Sequence, residues 1–475
     1  MTAVGVDRAE TSLARSAAAI TAGNAVSRAT GFVRVVAVAA ALGTTFLGNT
    51  YQTSNLVSNV LFELLAAGLL SSVLVPRFVS SLAAGRRRDA QEMAGALLSL
   101  CLVGLGVIAV AGAAGGHAVM RALTVAVSDP AVREREIRLG AFFLWFFLPQ
   151  VLLYAWGAIA TALLHADRKF AASAFAPAAN NVVVIATMAV FWAMRHGGGH
   201  SAGAAGLDLP VRQQAVLAIG TTIGVLAMTA MPVIACWRAG LALRPRWAPN
   251  HPGVRGLGRA GLWAGGFLAL NQLLVAVTLV LANRVEGGVV AYQVAFTFFL
   301  LPHALLAHPV FTALYPRMAA DAAAGRMDEF RRQVTSGATT LALLMVPASV
   351  GLALLGGPVL RAVRVGALDA AGAHFVAKVV AAYAIGLVGY SLLQLLTRAA
   401  YAVHDTASPT VVTAAVTVVG VGAMVTFSSL ASGENRVVVL GLVHSAVMIV
   451  GAGALLGVVA RRMGGLGRPA LLWRR

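Results

Sequence analysis

Charge is what this sequence has least of. Only 11% of its 475 residues are Asp, Glu, Lys or Arg, against roughly 25% in soluble domains. The shortage runs along the whole chain, which excludes a soluble globule and equally a soluble domain on a single anchor. Lysine is nearly absent: Lys169 and Lys378 are the two present, and neither follows a glycine. That excludes a Walker A phosphate loop, and with it a drive by ATP held there. Cysteine is as scarce, and Cys101 and Cys236 sit far apart in apolar runs, so neither a disulfide framework nor a thiolate metal site is supported. There is no H-E-x-x-H zinc motif. The G-x-G-x-x-G match at Gly256–Gly261 follows no strand and carries no dinucleotide reading. Acid is short relative to base, with 17 Asp and Glu against 36 Lys and Arg and a net charge of +19. The arginines are spread over short loops instead of forming a basic domain with interleaved aromatics, so nucleic acid is not an expected partner.

What is abundant is apolar surface: 59% of residues, with a mean hydropathy of +0.83. A bilayer crossing needs about 20 such residues. Runs of that length lie near 17–42, 50–75, 92–115, 139–164, 172–194, 213–237, 260–282, 289–315, 335–357, 375–400, 409–431 and 437–460. The first run lacks a small-residue cleavage site and reads as a retained helix, not a signal peptide. Loops on one side, together with both termini, hold 22 Lys and Arg, and the other side holds ten. Basic loops stay cytoplasmic, so both termini are expected in the cytoplasm of a multi-pass protein.

The halves resemble each other. Pro76-Arg77-Phe78 and Ala83-Ala84-Gly85-Arg86 recur as Pro316-Arg317-Met318 and Ala323-Ala324-Gly325-Arg326, at a constant offset of 240. Same-facing loops six spans apart imply a parallel repeat about an axis along the membrane normal. The expectation is an all-α polytopic membrane protein of about 12 helices in two six-helix lobes around a central cavity. Residues 1–237 form the N-terminal lobe, 238–259 a basic cytoplasmic linker, and 260–475 the C-terminal lobe with a short basic tail.

Polar groups inside spans mark function, because a central charge costs about 2.5–3.5 kcal/mol on insertion scales. In the first run Asn24, Ser27, Arg28, Gly31 and Arg34 share an arc of roughly 120°. Two guanidiniums without a carboxylate in their own helix form a cationic patch suited to phosphate, which guanidinium binds bidentately; snorkelling or pairing with a neighbouring helix is the alternative. In the second run Gln52, Asn55, Asn59 and Glu63 fall within roughly 80°, with Glu63 the expected counter-charge for Arg28 or Arg34. The stripe serves substrate or ion coupling, or else buried helix register. In the tenth run Tyr383, Tyr390, Gln394, Thr397, Arg398 and Tyr401 share a face ahead of His404 and Asp405; interfacial anchoring explains the aromatics equally well. Asn180, Asn181, Asn271, Gln272, Gln293, His303 and His308 line the same cavity or bond between helices.

Ser27 through Arg34, Leu42-Gly43 and the stretch Phe62-Glu63-Leu64 to Val75-Pro76 resemble the MurJ/MviN lipid II flippases, most closely their actinobacterial type. Phe175 to Asn181, the Pro302 to Pro316 segment, and Tyr401 through His404-Asp405-Thr406 to Pro409 extend the resemblance over nearly the whole chain. It implies a two-lobed exporter of the multidrug/oligosaccharidyl-lipid/polysaccharide superfamily, located in the bacterial plasma membrane. Such a protein moves a lipid-linked diphosphate oligosaccharide between leaflets by alternating access and is not an enzyme. Arg28 and Arg34 match the first-helix arginines thought to meet the lipid diphosphate. Membrane lipids and cell-wall synthesis proteins are the other partners implied, and no cofactor is expected beyond a coupling ion of unknown identity. Asn49, Phe62 and Thr297 stand where many members carry an acid or an arginine. A flippase for another polyprenyl-diphosphate-linked saccharide, a drug or cation antiporter, and a nontransporting scaffold for envelope synthesis are the competing readings.

Overall fold

In hydrocarbon every backbone N–H and C=O must be satisfied within the segment, so long apolar runs become helices. The computed structural model describes residues 3–63, 75–197, 206–248, 251, 272–362 and 368–462, and every regular element among them is helical. In chain order these are α1 (Ala3–Leu42), α2 (Phe46–Phe62), α3 (Val75–Ala83), α4 (Arg87–Ala114), α5 (Gly116–Leu123), α6 (Pro130–Phe147), α7 (Gln150–Ala166), α8 (Ala171–Gly197) and α9 (Val211–Arg238). There follow α10 (Gln272–Ala282), α11 (Gly288–Pro302), α12 (His308–Ala323), α13 (Met327–Ala362), α14 (Ala370–Ala384), α15 (Leu387–Ala402), α16 (Ala407–Leu430) and α17 (Asn435–Arg462).

Helix boundaries follow local chemistry. Asp129 caps α6, its carboxylate accepting from Ala131 N at 2.8 Å, and Pro130 occupies the first turn, where no N–H is needed. Asp369 caps α14 through Gly372 N at 2.7 Å. Pro302 cannot donate to the ladder, and the chain answers with one π turn at His303–Ala307 that joins α11 to α12.

Among the described residues nine helices are long and apolar enough to cross a bilayer, and the pair α14 and α15, bent by 42°, makes a tenth span. The remaining two of the twelve expected runs, 50–75 and 260–282, pass through 64–74 and 252–271, outside the described residues; α2 and α10 are their described parts. Most of the expected linker, the Gly256–Gly261 motif, Asn271 and the basic tail from 463 onward also lie outside them. Several spans outrun their apolar runs: 289–315 sits inside a stretch from Gly288 to Ala323, and 335–357 inside Met327–Arg361.

The chain groups into two compact units, one of residues 1–42 and 46–272, the other of 43–45 and 273–475. In the first, α8 packs against α1 and α9, α7 against α9, and α2 against α6. One buried cluster gathers Leu98, Leu144, Ile159, Leu163 and Cys236; another gathers Leu42, Leu47, Tyr51, Phe143, Phe147 and Phe191. In the second unit α17 packs on α14, α15 and α16, while α14 also meets α11 and α13.

The internal repeat is also a repeat of backbone geometry. Arg86 N donates to Ser81 O and Arg326 N to Asp321 O, both at 2.9 Å. Gly85 and Gly325 sit at φ +73° and +70°, a left-handed C-terminal turn that glycine adopts without steric cost. That conformation explains why Ala-Ala-Gly-Arg recurs.

Candidate functional site

Within the first unit α1, α2, α7, α8 and α9 enclose a cavity of about 140 Å³. Arg34 from α1 lines it, with Gln52, Asn55 and Asn59 from α2, Asn180 from α8 and Thr221 from α9; Tyr51 and Tyr154 complete the polar wall. Val38, Val184, Val225 and Met228 form the apolar side. The three α2 residues lie on one face by the 3.6-residue period, so a single helix delivers three amides to one wall.

The wall is held by hydrogen bonds. Thr221 Oγ1 donates to Leu217 O at 2.7 Å and lies 2.7 Å from the Tyr51 hydroxyl. A hydroxyl has one proton to give, so Tyr51 is the donor and Thr221 the acceptor. Asn181, one residue from the cavity-lining Asn180, turns the other way. Its amide donates to Ser27 O and to Thr30 Oγ1, each at 3.1 Å, clasping α8 to α1. Asn180 Oδ1 is buried without a partner among the described residues. A buried polar atom left unsatisfied costs about 1–3 kcal/mol, and here the unsatisfied atom belongs to a residue that lines the cavity.

Arg34 is half-buried, and among the described residues no carboxylate pairs with it. Among the described residues no Asp or Glu lines the cavity. A half-buried guanidinium among amides and hydroxyls can hold an anion through bidentate hydrogen bonds.

The structure divides the expected site. Arg34, Gln52, Asn55 and Asn59 come together. Asn24 and Arg28 are exposed and do not line the cavity, because the small residues of their face, Ser27 and Gly31, are taken up by packing on Asn181. Glu63 is a correction: it is exposed, lies outside the cavity and forms no ion pair with Arg28 or Arg34 among the described residues. It sits 11 residues, about 16 Å of helix, beyond Gln52. In the second unit Gln394 and Arg398 satisfy each other: Arg398 Nη1 donates to Gln394 O at 2.9 Å and to Gln394 Oε1 at 3.1 Å. The Arg398 guanidinium also stands 4.5 Å over the Phe311 ring. His303 is bonded to Ser391 Oγ at 2.9 Å. Asp405 closes the loop between α15 and α16, accepting from Ser408 N at 3.0 Å and pairing with Arg462 at 3.1 Å. Burial works to raise its pKa, but the Ser408 bonds and the Arg462 charge outweigh it and hold the carboxyl below its ordinary range.

Tyr51, Tyr154 and Thr221 were not expected in the site. Tyr51 precedes Gln52 off the polar face, and the others sit in apolar runs, so only packing reveals them. Glu136 was also missed. It is fully buried in α6 and accepts from Thr50 Oγ1 at 3.0 Å, in a segment that reads as an outer loop by hydropathy. A G-x-S-x-G spacing at Gly199–Gly203 lies outside the described residues. Hydrolases that use this motif place it on a strand-to-helix turn, and no strand occurs among the described residues.

Comparison with known proteins follows the same line. Residues 38–474 match the family model described as lipid II flippase MurJ. A probable lipid II flippase MurJ from Rhizobium meliloti is 26% identical over 417 residues, 86% of this chain and 74% of that protein. The lipid II flippase MurJ of Burkholderia cenocepacia is 25% identical over 395 residues, covering 81% and 72%. Among solved structures, a lipid II flippase MurJ in an inward closed conformation superposes with a TM-score of 0.75 at 18% identity, over 93% of this chain and 87% of that one. An inward-facing multidrug resistance MATE family transporter gives 0.70 at 13% identity, over 91% and 94%. These superpositions show a fold shared with both transporters. The family model spans nearly the entire chain, and the chain therefore belongs to the lipid II flippase MurJ family.

Proposed function

We propose that this protein moves lipid II, the lipid-linked peptidoglycan precursor, from the inner to the outer leaflet of the bacterial plasma membrane by alternating access. The observation that carries the reading is the acid-free cavity around Arg34. Arg34 neutralises diphosphate charge through bidentate bonds that remain strong when water is excluded. Gln52, Asn55, Asn59 and Asn180 offer amide donors and acceptors to the adjoining sugar or peptide. At about 140 Å³ the cavity accommodates a phosphate-sized part of a headgroup, not a disaccharide pentapeptide, so the remainder extends beyond it. Arg28 and Asn24, exposed six and ten residues before Arg34 on α1, are a further contact for that remainder.

The distribution of basic loops supports cytoplasmic placement of both termini. With no Walker A lysine, the drive is an ion gradient or the membrane potential. A drug or cation antiporter requires acids in its cavity, which the described lining lacks.

The test is depletion of the native flippase in a host that depends on it, with complementation by this chain and measurement of lipid II accumulation on the inner leaflet. Wild type relieves the accumulation. A variant carrying both Arg28→Ala and Arg34→Ala, present in the membrane at wild-type level, does not. Full complementation by that double variant overturns the assignment, and accumulation of a different polyprenyl-diphosphate saccharide redirects it to that substrate.

A further inference from the structure

Two polar atoms in the interior of the second unit have nothing to bond to. Nε2 of His444, in α17, and the hydroxyl of Tyr383, in α14, are both buried and unpartnered among the described residues. The side chains are deeply buried, His444 at 8% exposure and Tyr383 at 1%. Their rings are neighbours, with centroids 5.0 Å apart. The rest of the pocket is aromatic: Phe296 and Phe299 of α11 stand edge-on to the imidazole at 6.0 and 5.8 Å. His444 lies nine residues, about 13 Å, into its helix, within the apolar run 437–460.

Packing alone does not account for the pair. Phenylalanine and leucine fill aromatic pockets without an orphaned polar atom, whereas each unsatisfied group here costs about 1–3 kcal/mol. An imidazole is also the side chain that exchanges a proton near neutral pH, and intramembrane ionisable groups recur in proton relays. A water bonded to both Nε2 and the phenol oxygen satisfies both atoms.

The charged groups on the helices around His444 are engaged elsewhere or exposed, Arg436 of α17 among them, which donates to Ala431 O at 2.9 Å, while Tyr390 of α15 packs against Phe299 at 5.4 Å. Lys378 of α14 pairs with Glu434 at 3.3 Å, and Arg398 of α15 is bonded to Gln394. His374 of α14 is exposed. From α11 Tyr292 packs against Tyr383 at 6.0 Å, and α16 carries no charged residue. No fixed charge therefore pairs with His444 among the described residues.

We propose that His444 and Tyr383 form a proton-binding site inside the second unit, through which a pH difference across the membrane drives the transport cycle. The imidazole Nε2 lone pair takes a proton from water on one side, a water bridging the two groups accepts the resulting N–H while the Tyr383 hydroxyl bonds to that same water, and the proton returns to water on the other side. The coupling half of this inference rests on the transport reading above; the binding half does not.

Two measurements test it. The full chain, labelled with ¹⁵N-histidine in detergent micelles, is titrated by NMR, with the His444 signal identified by its loss in His444→Gln. The expected result is a His444 titration that Tyr383→Phe displaces. A signal that never titrates, or a curve that Tyr383→Phe leaves unmoved, overturns the site. Tyr383→Phe removes one oxygen and keeps the ring, so it remains informative should His444→Gln fail to fold.

The second measurement follows fluorescent lipid II in proteoliposomes, with potassium and valinomycin clamping the potential at zero. One proton carried per cycle shifts the leaflet distribution by up to about tenfold per pH unit. The wild type shows that dependence and both variants lose it. A wild-type distribution that ignores the pH gradient sinks the coupling while leaving transport intact, and so do variants that keep the full shift. Absence of any lipid II movement in the wild type defeats the transport reading instead, and the titration still decides the proton site.

Discussion

Replacing Arg34 with alanine should lower transport without weakening the fold, and the two effects have opposite signs for a reason visible in the site. Arg34 has no carboxylate partner among the described residues and is half-buried beside amides and tyrosines. In the empty protein its charge is therefore a burden. Insertion scales put a central arginine at about 2.5–3.5 kcal/mol, and a half-buried one bears part of that, so Arg34→Ala leaves the melting temperature in detergent unchanged or raises it. With substrate bound, the charge is compensated. A hydrogen bond to a charged group contributes about 1.5–3 kcal/mol, and at 1.4 kcal/mol per factor of ten its loss lowers lipid II transport by roughly 10- to 150-fold. Arg34→Lys should fall between, because an ammonium keeps the charge and loses the planar fork. The assay is initial-rate movement of fluorescent lipid II in proteoliposomes, with melting temperature measured on the same preparations. Two results refute the reasoning: undiminished transport in Arg34→Ala, or a loss of transport that tracks a fall in melting temperature.

Adjacent asparagines should separate structure from function. Asn181→Leu removes the two bonds that clasp α8 to α1, and thermal unfolding should show a loss of about 1–3 kcal/mol. Asn180→Leu removes an atom that is already unpartnered, so stability holds while transport falls; a larger stability loss at Asn180 than at Asn181 contradicts the assignment. Asp405 sets a pH dependence. Its carboxyl is held below the usual range despite burial, by Ser408 and Arg462. A depressed acid contributes stability above its unfolded pKa of about 3.9 and loses it as pH falls through the folded value. Asp405→Asn should therefore lower the melting temperature equally at pH 8 and pH 6, with the gap to wild type closing below about pH 4; a gap that closes near neutral pH contradicts this pairing.

Some of the molecule was legible in the sequence because the bilayer makes one demand of every span. Backbone groups must be satisfied locally wherever about 20 apolar residues run together, so hydropathy placed ten of the twelve expected runs on spans among the described residues, and the glycines of the repeated Ala-Ala-Gly-Arg segments marked one turn geometry that recurs in both units. Helical period put Gln52, Asn55 and Asn59 on one face. Those properties depend on residues a few positions apart. Tertiary packing decided the rest, because side chains more than a hundred residues apart choose one another by shape and hydrogen bonding. It gave Asn181 to the α1–α8 contact and Asn180 to the cavity, and it brought Tyr51, Tyr154 and Thr221 to the wall around Arg34. It left Glu63 without the arginine expected for it, since Glu63 lies one turn beyond Asn59, the last α2 residue of the lining. A sequence records which groups are costly to bury; only the packed chain shows which of them were left without a partner.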